Sequence, residues 1–220
     1  MLKSKMLKIF ALKHCTKLDS LLFREILSFL DKHEQEKILK FHRWQDAERS
    51  LLGNLIIRAT ICDMFQVKNS DLEVFRNEMG KPYINNMPQV FFNISHSGHW
   101  VVGAFDSFPV GVDIEQIKAL DLNMGKSMLA ANDYEEMLKI EAPNQLKYFY
   151  KCWTMGESYQ KMLGSGVTLP LSSTNNLHDT AFFNSYSIDE EYILSICSSQ
   201  GLFPECIVFT DIKRLLTLIK

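Results

Sequence analysis

The five cysteines, Cys15, Cys62, Cys152, Cys197 and Cys206, contain no Cys-x-x-Cys pair and are odd in number. That absence argues against the usual zinc spacings and against a disulfide framework. The thiols are expected to be buried and unpaired in a reducing compartment, which makes the cytoplasm the expected location. No apolar run approaches the roughly 20 residues of a membrane-spanning helix. Residues 1–12 carry Lys3, Lys5 and Lys8 but no long apolar core and no small-residue cleavage site, so no signal peptide is expected. An excess of either charge is missing as well. A net charge of −2 over 220 residues gives no field for nucleic acid or a membrane surface, although a local basic site for an anionic ligand stays compatible with it. No Gly/Ser-rich linker interrupts the chain, so any halves should pack tightly.

What is present is ordinary for a soluble globular protein: 46% apolar and 23% charged residues, enough for one large domain or two of about 100 residues. In order, residues 6–12 read as a strand. Helical stripes follow at Leu18–Leu30, capped by Asp19 or Ser20, at Asp31–Phe41, and at Gln45–Phe65. Short strands are expected at Leu72–Phe75 and Pro82–Ile84, separated by the turn Glu78-Met79-Gly80-Lys81. Residues 121–131 and 133–140 are expected to be helical. A longer helix runs from about Asn144 to Leu163 and stops at Gly164-Ser165-Gly166. Strands near 180–187, 192–197 and 205–210 and an amphipathic tail from Ile212 complete the expectation.

The chain is organised around Phe91–Glu115. Strands at Val90–Ile94 and Trp100–Phe105 bracket Ser95, His96, Ser97 and Gly98, which read as their connection. In the next strand, Val110–Glu115, Asp113 and Glu115 share the face opposite Val112 and Ile114, because side chains alternate along a strand. Two neighbouring carboxylates repel, which is tolerable on a solvated edge or around a cation. In the later helix Trp153, Glu157 and Lys161 recur at i, i+4 and i+8, on one stripe.

These two segments together resemble the 4'-phosphopantetheinyl transferases of the surfactin-synthetase-activating type. That family carries an Ile/Val-Gly-Ile/Val-Asp-Ile-Glu strand followed by a Trp-x-x-Lys-Glu-Ser-x-x-Lys helix, matched here by Val110–Glu115 and Trp153–Lys161. Asp46–Gly53, Gly80-Lys81-Pro82 and Asn93–Gly98 also look like family segments, and the likeness spans residues 7–210. The resemblance implies an α+β fold, a pseudo-twofold tandem of two similar helix-plus-antiparallel-sheet halves, here residues 1–117 and 118–220. A faint echo between Asn93–Val102 and Phe183–Leu194 agrees with such a duplication. The implied reaction moves the 4'-phosphopantetheine arm of coenzyme A to a serine of an apo acyl or peptidyl carrier protein of fatty-acid, polyketide or nonribosomal peptide synthesis. Adenosine 3',5'-bisphosphate leaves, and a cytoplasmic monomer is expected.

By the same resemblance Asp113, Glu115 and Glu157 would bind Mg²⁺, a hard cation that takes oxygen ligands. Glu157 would be the general base, with Lys161 and Asp113 also catalytic. Lys37, Arg49, Ser50, Lys81, Ser95, His96 and Lys161 would hold coenzyme A. Asp133 stands where relatives tend to carry a glutamate, and it could assist as a base or serve as a helix N-cap. The carrier would dock around Tyr148, Met155, Met162 and Val167. Three positions depart from the pattern: Gly156 replaces the lysine before the motif glutamate, at a cost of about 1 kcal/mol inside a helix; Ser165 interrupts a Gly-Lys-Gly; and Glu34 sits where a basic residue is common. The departures motivate an alternative reading, a catalytically silent carrier-binding relative. A metal-dependent phosphodiesterase using the same carboxylates is a third.

Overall fold

A computed structural model describes residues 7–166, 171, 173–174 and 181–219. Val167, Thr180, Lys3 and Lys5 lie outside the described residues.

The first half opens with β1 (Lys8–Lys13), α1 (Ser20–Ser28) and α2 (Lys32–Leu39). Asp19 caps α1 by accepting from the Leu21 and Leu22 amides, and Asp31 caps α2 by accepting from that of Glu34. Then come α3 (Trp44–Phe65), the hairpin β2 (Val74–Arg76) and β3 (Pro82–Ile84), and the hairpin β4 (Phe91–Ser97) and β5 (Trp100–Asp106). β6 (Val110–Gln116), which precedes the expected boundary at residue 117, pairs with β8 and so goes with the second half, which also has short helices α4 (Gly125–Met128) and α5 (Ala131–Lys139), α6 (Ala142–Leu163), and the hairpin β7 (Phe182–Asp189) and β8 (Tyr192–Ser198). The chain closes with β9 (Val208–Thr210) and α7 (Ile212–Ile219).

The two halves repeat one plan. The first sheet has the order β4-β5-β1, extended by β9, and the second has the order β7-β8-β6. Each contains a strand, then a 22-residue helix (α3 or α6), then a hairpin whose second strand pairs antiparallel with the first strand of the half. The echo between Asn93–Val102 and Phe183–Leu194 falls on the two equivalent hairpins. The tail is not part of the second unit's sheet: β9 pairs parallel with β1, and Leu215 and Ile219 of α7 are buried in the core built on α3.

Alternation explains how the layers join. On β1 and β5, Leu12, Val101 and Phe105 face α3 and its Leu51, Leu52, Leu55 and Ile56. Their neighbours Ile9, Ala11, Val102 and Ala104 face the other way, onto Val112, Ile114, Leu194 and Ile196 of the second sheet. The first sheet is therefore apolar on both faces, and one of those faces is the seam between the halves.

Several expectations are corrected. β4 continues through Ser95, His96 and Ser97, and the turn is only Gly98-His99, with Gly98 at φ 52°. A two-residue hairpin loop needs that left-handed conformation, which glycine adopts without strain. Cys62, Cys152 and Cys197 are buried as expected, but Cys15 and Cys206 are exposed. Met155 and Met162, expected on a docking surface, are buried. Methionines at helical spacing face the core here because α6 lies directly on β6 and β8.

Candidate active site

A cleft of about 460 Å³ opens between the halves. Its wall on the first half comes from α3 (Arg49, Ser50, Gly53), the β2–β3 hairpin (Arg76, Lys81) and β4 (Asn93, Ser95, His96). Its wall on the second half comes from β6 (Asp113, Glu115) and α6 (Glu157, Lys161). The fold thus brings together nine of the ten residues singled out from the sequence. The exception is Lys37. Glu34 and Ile38, four residues apart, turn one face of α2 inward, and Lys37 lies at the flank of that face with its side chain exposed.

Asp113 sits at the centre, with 1% of its surface exposed. Lys161 Nζ donates to Asp113 Oδ1 at 2.5 Å and to Ser95 Oγ at 3.1 Å, and it lies 3.5 Å from Glu157 Oε2. Burial opposes the Lys161 charge, but Asp113 and Glu157 outweigh it and hold the ammonium's pKa above the ordinary lysine value. Burial first, then the Asp113 charge, pushes Glu157 up to about 7. The same two causes raise Glu115.

The acidic pair is held by a side-chain ladder that sequence reasoning missed. Asn93, Ser95 and Ser97 alternate on one face of β4 and meet β6 edge to edge. Asn93 Oδ1 accepts from the Val112 amide (2.9 Å), Ser95 Oγ from Ile114 (3.3 Å) and Ser97 Oγ from Gln116 (3.1 Å). Each serine hydroxyl also donates, Ser95 to Asp113 Oδ1 (2.8 Å) and Ser97 to Glu115 Oε2 (2.8 Å). Ser95 is thus engaged with the acidic group. The residue pattern Asn-x-Ser-x-Ser was the available signal: three hydrogen-bonding side chains on one face of an otherwise apolar strand.

The opposite wall is cationic. Arg49 donates to the Gly98 carbonyl and pairs with Asp46. It lies in the second turn of α3, so the amides of the helix's first turn do not line the cleft. His96, on the face of β4 opposite the serines, has its pKa lowered by the enclosing walls and then by the Arg49 guanidinium. Arg76 was not anticipated. Buried Glu34 grips it with two bonds, from Nε and Nη2, both 2.8 Å. The acid at position 34 therefore anchors a cation in the wall.

Two departures resolve differently from expectation. A Cβ at Gly156 would stand 2.5 Å from Leu171 Cδ1. A lysine there would strike Leu171, and Gly156 does not line the cleft. Asp133 is buried away from the cleft, where it accepts from the Thr174 amide (2.9 Å) and hydroxyl (2.8 Å). It is neither positioned as a base nor the N-cap of α5, which is Ala130.

Whether the acidic group suits a divalent cation can be tested on the atoms themselves. Asp113 Oδ2 is buried without a hydrogen-bond partner, a costly state for a carboxylate oxygen unless a cation faces it. Burial first, and then the Asp113 charge, raise both Glu115 and Glu157, and a cation beside them would offset both causes. Against this, among the described residues no three His, Cys, Asp or Glu side chains are set closely enough to hold a metal as placed, and Lys161 supplies the counter-charge instead. The donors fit a hard, oxygen-seeking dication in kind.

Comparison with known proteins decides the family. Residues 19–107 match the family described as "4'-phosphopantetheinyl transferase, N-terminal", and residues 109–201 match the "4'-phosphopantetheinyl transferase superfamily". The chain is 36% identical over 205 residues to 4'-phosphopantetheinyl transferase ffp of Bacillus subtilis, covering 87% of this chain and 92% of that one. The chain belongs to the 4'-phosphopantetheinyl transferase superfamily. It is also 35% identical to 4'-phosphopantetheinyl transferase Sfp of Bacillus subtilis strain 168, over 86% of this chain and 91% of the relative. A third relative, 4'-phosphopantetheinyl transferase gsp of Aneurinibacillus migulanus, is 33% identical over 76% and 70% of the two chains. Both phosphopantetheinyl transferase segments meet near residue 108, at the turn before β6, so each family half contributes one wall of the cleft.

Proposed function

We propose that this phosphopantetheinyl transferase moves the 4'-phosphopantetheine arm of coenzyme A to a serine of apo carrier proteins. Adenosine 3',5'-bisphosphate leaves. The observation that carries the reading is the polarity of the cleft: a wall bearing the Arg49 and Arg76 guanidinium groups and the His96 ring faces a buried acidic group with one lysine among it. A ligand with a diphosphate and a separate phosphate has matching charges at both ends.

On this reading Arg49, Ser50, Arg76 and His96 hold the nucleotide end of coenzyme A. Asp113, Glu115 and Glu157 would hold Mg²⁺, which when bound neutralises diphosphate oxygens and stabilises charge on the leaving group. Lys161 adds a point charge toward the same oxygens. Glu157, beside Lys161 and facing the cleft, is the proposed acceptor of the carrier serine's proton. The serine oxygen then attacks the β-phosphorus, and the bond to the bisphosphate oxygen breaks. Carriers of fatty-acid, polyketide and nonribosomal peptide synthesis are all proposed substrates. No helix among the described residues is long and apolar enough to cross a membrane, and the free thiols suit a reducing compartment such as the cytoplasm.

The silent-relative reading loses its main motive, because Gly156 points at Leu171 and not at the cleft. Mass spectrometry of a panel of apo carriers incubated with coenzyme A and Mg²⁺ tests the proposal. A gain of one phosphopantetheine arm on at least one carrier is expected. Binding without mass gain across the panel would favour the silent reading. Hydrolysis of coenzyme A with no acceptor present would favour the phosphodiesterase.

A further inference from the structure

Lys81 lies in the Gly-Lys-Pro turn between β2 and β3, and it lines the cleft. Its ammonium nevertheless turns toward the second half. Nζ donates to the carbonyl of Lys161 at 2.6 Å and to that of Met162 at 2.9 Å, with the Val110 carbonyl at 3.5 Å. An ammonium has three donors, and three carbonyls meet them, so none is left for an anion. The Lys161 and Met162 carbonyls belong to the last turn of α6, where the helix offers no amide partner. A cation there also opposes the negative end of the helix dipole. Asn77 adds a second tie: its Nδ2 donates to the Gly164 carbonyl at 3.1 Å, and its Oδ1 accepts from the Lys81 amide at 2.8 Å and the Met79 amide at 3.0 Å. The turn is braced internally and fastened to the helix end at two points. Burial pulls the Lys81 pKa down to about 8, in keeping with an ammonium enclosed by protein carbonyls.

The tethered turn of α6 carries chemistry. The residue whose carbonyl Lys81 holds is Lys161, whose own side chain reaches Asp113, and Glu157 stands one turn earlier. We propose that Lys81 is a positioning residue: it fastens the end of α6 to the first half so that Glu157 and Lys161 stay aimed at Asp113, and it is not a ligand of the substrate's phosphates. The kinetic part of this proposal rests on the transfer reading above; the structural part does not.

Lys81→Met keeps the aliphatic stem and removes the charge. Two readouts separate a tether from a phosphate ligand. Hydrogen exchange of amides 160–164 in the ligand-free protein is expected to speed up at least about tenfold, because the last turn frays once its carbonyls are released. In carrier modification, kcat is expected to fall by about tenfold to a hundredfold, the scale of a misplaced catalytic group, with KM for coenzyme A changed less than about twofold. Asn77→Ala, which keeps the Lys81 ammonium but loosens the turn that carries it and removes the tie to Gly164, is expected to move both readouts in the same direction by less, and it serves if Lys81→Met does not fold. Unchanged exchange at 160–164 overturns the tether whatever the kinetics. A large rise in KM for coenzyme A at constant kcat overturns it as well and returns Lys81 to the phosphates. Exchange is measured without coenzyme A or carrier, so failure of the transfer reading and failure of this one are distinguishable.

Discussion

Asp113→Asn is expected to lower the rate of carrier modification about a thousandfold, the loss typical of deleting a buried electrostatic group from an active site. The amide matches the carboxylate in shape and keeps an oxygen to accept from Ser95 and Lys161, the partners of Oδ1. It removes the charge that raises both Glu115 and Glu157. Folding is therefore expected to survive, with the melting temperature moved by a few degrees at most. The pairing of near-complete loss of transfer with an intact melt separates a catalytic carboxylate from a structural one. Retention of full activity would remove Asp113 from the chemistry.

The second large effect falls on stability. Gly111 lies in β6, two residues before Asp113, where α6 crosses the strand at backbone distance. A Cβ at Gly111 would overlap the Ser158 carbonyl oxygen and stand 2.5 Å from the Met162 amide nitrogen. These are helix main-chain atoms, which have no rotamer to escape into. Gly111→Ala must therefore push α6 off the sheet, at an expected cost of about 3 kcal/mol or more. For a chain of this size that is a drop of roughly 6–12 °C in melting temperature. Activity should fall with it, because α6 carries Glu157 and Lys161. Urea denaturation alongside the modification assay checks both; a midpoint within error of the parent would show that the helix does not sit on this glycine.

Gly111 also shows what was legible in the sequence. The Val-Gly-Val-Asp-Ile-Glu strand and the Trp153–Lys161 helix could be read as motifs, and with them the two-half α+β fold and the presence of Asp113, Glu115 and Glu157 in one cleft. Caps such as Asp19 and Asp31, and the stop at Gly164, follow from local rules. What stayed hidden depends on contacts between elements distant in sequence. Ser95 and Ser97 look like loop residues, and Asn93 like an ordinary strand residue, until β4 is laid against β6. Arg76 looks like a solvated charge until buried Glu34 is found beneath it, and Glu34 looks like a lost cation until Arg76 is found above it. Nothing in the sequence shows that the Lys81 ammonium donates to the carbonyls that end α6. The place of Lys37, exposed and outside the cleft lining, was not legible for a simpler reason: on a short, highly charged helix only Glu34 and Ile38 mark the inward face, and a buried glutamate is not expected from sequence.

The central claim is that Asp113 and Glu115 from β6 and Glu157 from α6 act together on a divalent ion and the diphosphate of coenzyme A. The most direct measurement is anomalous scattering from crystals grown with Mn²⁺ and coenzyme A. The account predicts one peak within coordination distance of carboxylate oxygens from these residues and of the diphosphate, with Lys161 drawn toward the phosphates. Coenzyme A bound in the cleft with no peak there, or with the ion held elsewhere, would contradict it.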